Sequence, residues 1–179
     1  MALTKLQAEG LNLADTYNFT GTLQQNGAGI GGVNTPSFEA TMSAEQSASD
    51  DVFTKMDFDT ESFDTDSAYD HTTNQRFTVP SGKAGKYFIY CNATLGVSAN
   101  TQLVDAKIAI YKNGSVFKRT IINNETNYTR YTQISVASIM DLSVSDYVEI
   151  YAQVNVGSGN VEFRQQNGES TFGGFKIIE

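Results

Sequence analysis

A chain of 179 residues that is 40% hydrophobic is long enough for one globular domain with a sizeable core and some sequence to spare. Its formal charge of -8 argues against nucleic acid or an anionic membrane surface as a partner, because both repel an acidic face. The single cysteine and single histidine exclude a disulfide framework and leave too few soft ligands for a zinc centre.

In chain order, the opening "MALTKLQAEG" lacks the apolar run of a signal peptide, which predicts synthesis and folding in a cytoplasm. Residues 1–35 carry one plausible strand, "YNFTGTL", and too few apolar residues for a core of their own, so they predict an attachment segment that needs a partner surface. "GAGIGG" (27–32) followed by "VNTP" marks a linker, because clustered glycines are the costliest residues to order, and the domain boundary is placed at residue 35. Between residues 39 and 70 ten acidic residues stand against Lys55 alone, which reads first as a solvated acidic face.

Beyond residue 35, period-two patterning recurs and helical periodicity does not. Strands are predicted near 36–42, 52–59, 75–79, 129–137, 160–165 and 171–178, with turns at Pro80-Ser81-Gly82 and Gly157-Ser158-Gly159. In "KYFIYCNATL", Tyr87, Ile89, Cys91, Ala93 and Leu95 share one face, and Phe88, Tyr90, Asn92 and Thr94 share the other, where the rings are expected to meet another subunit. "AKIAIYKNGSVFKRTII" reads as a hairpin, since Asn113-Gly114 supplies the two positive φ values of a type I′ turn. In "DYVEIYAQV", Val148, Ile150, Ala152 and Val154 oppose Tyr147, Glu149, Tyr151 and Gln153. The closing "TFGGFKIIE" stays apolar and alternating to its end, so Phe172, Phe175 and Ile177 are expected to tie it into a core. About ten strands with no helix predict an all-β sandwich of two antiparallel sheets in a jelly-roll arrangement.

Catalytic motifs are scarce. His71 lies in polar "YDHTTN" with no reactive serine motif beside it, and reads as a loop residue; Cys91 reads as a small core filler. "GAGIGG" lacks the Lys-Ser/Thr of a phosphate-binding loop. Asp57-x-Asp59-x-Glu61 fails the EF-hand pattern, with Ser62 at the glycine position and Ala68 at the final glutamate position. These acids fit an outer strand face opposite Met56 and Phe58 equally well, so no cofactor is expected, and a calcium site assembled from separate loops or subunits stays open as the alternative.

Six blocks in order, "SFEA", "FDTDSAYD", "RFTVPSGKAGKYFIY", "IYKNG", "SDYVEIYAQ" and "STFGGFKI", resemble the globular head of the complement C1q and tumour necrosis factor superfamily over residues 36–179. The resemblance implies a ten-strand antiparallel jelly roll that assembles as a homotrimer. It assigns Phe77, Tyr87, Phe88, Tyr147 and Val148 to core or trimer contact. It makes "TFGGF" a central terminal strand in which Phe172 and Phe175 pack into the structure and Gly173 and Gly174 allow close backbone approach. One departure is Ser145 before Asp146, where the family usually has Gly-Asp. Without leader or collagen stalk, the chain looks more like the versions in bacteriophage virion proteins. That implies a non-enzymatic capsid decoration or tail-fibre tip on the virion surface, attached to other virion proteins through residues 1–35 and binding a host-surface glycan. A secreted C1q-like recognition module is the alternative, and a carbohydrate-cleaving enzyme stands behind it on abundant carboxylates alone.

Overall fold

Why the alternating segments pair as they do is visible in the computed structural model, which describes residues 24–25, 28–29, 34–100, 102–124 and 128–178. The chain separates into two units, Met1–Gly32 and Val33–Glu179. In the first, β1 (Gln24–Gln25) and β2 (Ala28–Gly29) pair antiparallel. The "YNFTGTL" strand and the rest of the expected attachment segment lie outside the described residues.

The second unit is a two-sheet sandwich, and no helix occurs among its described residues. Its strands are β3 (Ser37–Thr41), β4 (Gln46–Ala48), β5 (Thr54–Lys55), β6 (Thr60–Asp64), β7 (Tyr69–Asp70), β8 (Arg76–Thr78) and β9 (Gly85–Val97). They are followed by β10 (Leu103–Lys112), β11 (Ser115–Asn123), β12 (Tyr131–Leu142), β13 (Tyr147–Val156), β14 (Val161–Arg164) and β15 (Thr171–Lys176). The six-stranded sheet runs β11-β10-β13-β8-β7, with β5 added to β13. The seven-stranded sheet runs β4-β14-β9-β15-β3-β6, with β12 on the far edge of β9. Every pairing is antiparallel.

The core lies between the sheets, where the inward residues of both meet. Tyr87, Ile89, Cys91, Ala93 and Leu95 of β9 are fully buried, as are Val148, Ala152 and Val154 of β13. Phe38 is the hub of an aromatic cluster: its ring stacks on Tyr69 at 5.0 Å and on Phe77 at 4.8 Å, and meets Phe172 edge-on at 5.0 Å. Such pairs add to the hydrophobic gain of burial because the ring quadrupoles are complementary in these geometries. The β10–β11 turn has φ of 51° at Asn113 and 77° at Gly114, the type I′ geometry expected of that dipeptide.

Three local readings are corrected. The expected strand 52–59 pairs only over Thr54–Lys55, because the next residues turn back on themselves: the Phe58 amide bonds the Met56 carbonyl and the Asp59 amide bonds the Asp57 carbonyl. Short strands β4, β6 and β7 appear where no strand is expected, since ladders of two to five residues are too brief to impose a periodicity. Phe175 does not enter the core: an odd spacing from buried Phe172 puts it on the opposite face of β15, where it is half-buried beside Phe88 at 5.6 Å.

Candidate functional site

Of the residues singled out from sequence, the structure places Phe77, Tyr87, Val148 and Phe172 in the core. The Tyr87 hydroxyl donates to the Lys83 carbonyl at 2.6 Å, and burial pushes its phenol up to about 12. Phe88 and Phe175 lie instead on the outer face of the seven-stranded sheet. Tyr147 sits on the outer face of the six-stranded sheet, with the Arg76 guanidinium 4.4 Å above its ring.

The outer face of the seven-stranded sheet is built row by row by the register. Phe175, Phe88 and Ile139 stand side by side on β15, β9 and β12. The next row holds Phe63, Glu39, Gly173, Tyr90 and Ala137 on β6, β3, β15, β9 and β12. Ile139 is 60% exposed and Phe63 47%, while Phe88, Tyr90 and Phe175 are half-buried against one another. Exposed apolar side chains gathered on one sheet face mark a surface for contact with another molecule.

Gly173 and Gly174 have opposite jobs. A Cβ at Gly173 would fall 2.5 Å from Oη of Tyr90, whose ring crosses β15 to reach β3; a Cβ at Gly174 would fall 2.6 Å from Cδ1 of Ile89 inside the core. Glu39 accepts the Tyr90 hydroxyl at 2.7 Å, and burial, followed by that bond, pushes the Tyr90 phenol well above its ordinary value. Ile139, Phe63 and Glu39 are absent from the sequence-derived candidates. Ile139 was within reach, because the alternation of β12 continues past residue 137.

At the base of the hairpin, Asp146 ties two turns together. It accepts from Lys112 Nζ at 2.8 Å, from Asn113 Nδ2 at 2.7 Å and from the Ser143 amide at 2.8 Å. The Lys112 and Asn113 bonds, then that of Ser143, lower its carboxyl to about 2. Ser145 takes a φ of 69°, a left-handed backbone conformation that glycine adopts without strain.

The acidic run does not converge. Asp57 is raised by burial and then by Asp59, while Asp59 is held down because the Ser43 hydroxyl and amide outweigh its burial. The His71 side chain faces the Glu61 carboxylate at 3.3 Å on the surface. Among the described residues no three His, Cys, Asp or Glu side chains are placed to hold a metal ion. Cys91 is a free, fully buried thiol whose ionisation burial strongly disfavours.

No known protein-family description matches the sequence. No curated protein is significantly similar to it. Solved structures are similar in fold. The globular domain of zebrafish complement 1qA protein superposes with a TM-score of 0.56 at 16% identity, over 81% of this chain and 99% of that one. The Eiger TNF from S. frugiperda superposes with a TM-score of 0.53 at 12% identity, over 80% of this chain and 91% of that one. At such identities the likeness speaks for architecture, and the two-sheet sandwich of this chain has the C1q/TNF-like jelly-roll fold.

Proposed function

We propose that this chain is a non-enzymatic recognition module that works as a homotrimer. The observation that carries the reading is the outer face of the seven-stranded sheet, where Tyr90, Phe88 and Phe175 pack together beside Ile139, with Phe63 at the opposite edge beyond Glu39, and no described segment covers them. Three copies packed on these faces around one axis would remove the rings from water and leave the six-stranded sheets outward. The similarity to a complement head domain and a tumour necrosis factor supports a role in binding rather than chemistry. The finer reading places the trimer on a bacteriophage virion surface, as a capsid decoration or tail-fibre tip, with residues 1–35 attaching it to other virion proteins.

Mass measurement by light scattering tests the assembly. The expected result is three chains per particle at micromolar concentration, and a monomer would overturn it. Locating the protein on purified particles by electron microscopy tests the virion role, which fails if the protein is found only free of particles.

A further inference from the structure

Two of the chain's Asn-Gly pairs lie among the described residues, and they occupy turns of the same backbone geometry; the third, Asn26-Gly27, lies outside them. Asn113 and Gly114, between β10 and β11, have φ of 51° and 77°. Asn167 and Gly168, between β14 and β15, also have φ of 51° and 77°, and the Glu169 amide closes that turn on the Gln166 carbonyl at 3.0 Å. All four residues are exposed. Neither φ nor access to water separates the two pairs, so the difference between them lies in the hold on the asparagine side chain.

Asn113 is held at both ends of its side-chain amide. Its Nδ2 donates to Asp146 Oδ1 at 2.7 Å, and its Oδ1 accepts from the Tyr147 amide at 2.9 Å. Its own backbone amide donates to the Tyr147 carbonyl at 3.0 Å. The Asn167 side chain, by contrast, has no hydrogen-bond partner among the described residues, and a Cβ placed on Gly168 would meet no atom within 4 Å. The contrast bears on a reaction open to Asn-Gly pairs in water. The deprotonated glycine nitrogen attacks Cγ of the asparagine, the new C–N bond closes a five-membered succinimide, and the side-chain nitrogen departs as ammonia. Water then opens the ring at either carbonyl and leaves aspartate or isoaspartate, so one water enters, one ammonia leaves and nothing is oxidised or reduced. The attack requires Cγ to swing onto the next backbone nitrogen. Each hydrogen bond that fixes the side-chain amide must break first and adds to the barrier.

We propose that Asn167 is a modification site at which the folded protein converts asparagine to aspartate or isoaspartate without an enzyme, while the bonds to Asp146 and Tyr147 protect Asn113 from the same reaction. Two side-chain bonds, one of them to a carboxylate, correspond to a rate at Asn113 at least about tenfold below that at Asn167. The protection falls where conversion would do damage. A carboxylate at position 113 would replace the donor to Asp146 with a second negative charge at the base of the hairpin, whereas the open turn at Asn167 can take one. The inference is independent of the recognition reading, and all of its groups belong to one protomer, so a monomeric protein would refute the trimer and leave this site standing.

Peptide mapping by mass spectrometry, on the full chain incubated in mildly alkaline buffer, reads each site separately as the mass gained when the amide nitrogen is exchanged for oxygen. In the folded protein Asn167 should convert first, with Asn113 at least about tenfold slower. In urea, where both side chains are free and glycine follows each, the two rates should come together. Asp146→Ala should raise the rate at Asn113 and leave that at Asn167 unchanged, with circular dichroism showing whether the variant is folded. Should it fail to fold, the comparison of the parent chain with and without urea decides alone. Equal rates at the two sites in the folded protein, faster conversion at Asn113, or no conversion at Asn167 under conditions that convert it in urea would overturn the proposal. So would a folded Asp146→Ala in which Asn113 stays as slow as in the parent.

Discussion

Tyr90 on β9 donates its hydroxyl hydrogen to Glu39 on β3 at 2.7 Å, reaching over Gly173 on the strand between them. Three strands are thereby joined on their outer face by one side chain, and only a residue without a Cβ leaves it room. Gly173→Ala is expected to displace Tyr90, break the bond to Glu39 and cost about 1–3 kcal/mol in urea unfolding. A Cβ at either glycine would meet a backbone carbonyl, that of Phe38 at 3.0 Å for Gly173 and that of Phe88 at 2.9 Å for Gly174. Gly174→Ala should cost more because its other neighbours, Ile89 Cδ1 at 2.6 Å and the Phe38 ring at 3.2 Å, are packed in the core, whereas Tyr90 lies on the outer face and can swing aside. The assignment of these roles fails if Gly173→Ala proves the costlier change.

The two phenylalanines of the last strand should separate experimentally. Phe172 is fully buried against Phe38, Phe58 and Tyr69, so Phe172→Ala is expected to destabilise the fold by about 3–5 kcal/mol. Phe175 packs on Phe88 at the outer face, so Phe175→Ala should change protomer stability much less and show itself in the mass distribution, as dissociation on dilution. Equal losses of stability in the two variants would contradict their placement.

Ile139→Asp tests the apolar face at its most exposed point, 60% open in the protomer. Placing a carboxylate there costs an isolated protomer almost nothing but buries a charge in any assembly built on this face. Circular dichroism should remain that of the parent while light scattering shifts to the mass of one chain. A variant that still sediments as the parent assembly would move the interface elsewhere.

Ser145 holds a left-handed φ of 69° as the third residue of the turn closed by the Asp146 amide and the Ser143 carbonyl. A side chain in that conformation costs about 1 kcal/mol relative to glycine, so Ser145→Gly should stabilise the protein by up to about 1 kcal/mol, reduced by the added freedom of the unfolded chain. Thermal unfolding would show it as a higher midpoint, and a lower midpoint would refute it.

Acid should destabilise the fold in a defined window. The carboxyls of Asp70, bonded first by the Thr73 amide and the Asn74 side chain, and of Asp146 are each lowered from 3.8 to about 2. A depressed folded-state value means that the stabilisation is complete above the unfolded value and is lost as pH falls toward and through the folded one. Stability measured by urea titration should therefore decline between about pH 4 and pH 2, and Asp146→Asn should shallow that decline. An unchanged slope in the variant would remove Asp146 from the account.

Local alternation was enough to expose much of this architecture. The two faces of β9, the inward set of β13 and the Asn113-Gly114 hairpin follow from side-chain period and turn chemistry, which act within a few residues and so are written contiguously in the chain. Parity would also have put Phe172 and Phe175 on opposite faces of one strand. What lies on those faces could be decided only in three dimensions. Tyr90 and Glu39 are 51 residues apart, and Phe63 joins Ile139 on one surface through the intervening register of β3, β15 and β9. Brief strands such as β5 and β7 exist because a neighbouring ladder offers them free hydrogen-bonding groups, and a segment of two residues carries no pattern by which to announce that pairing.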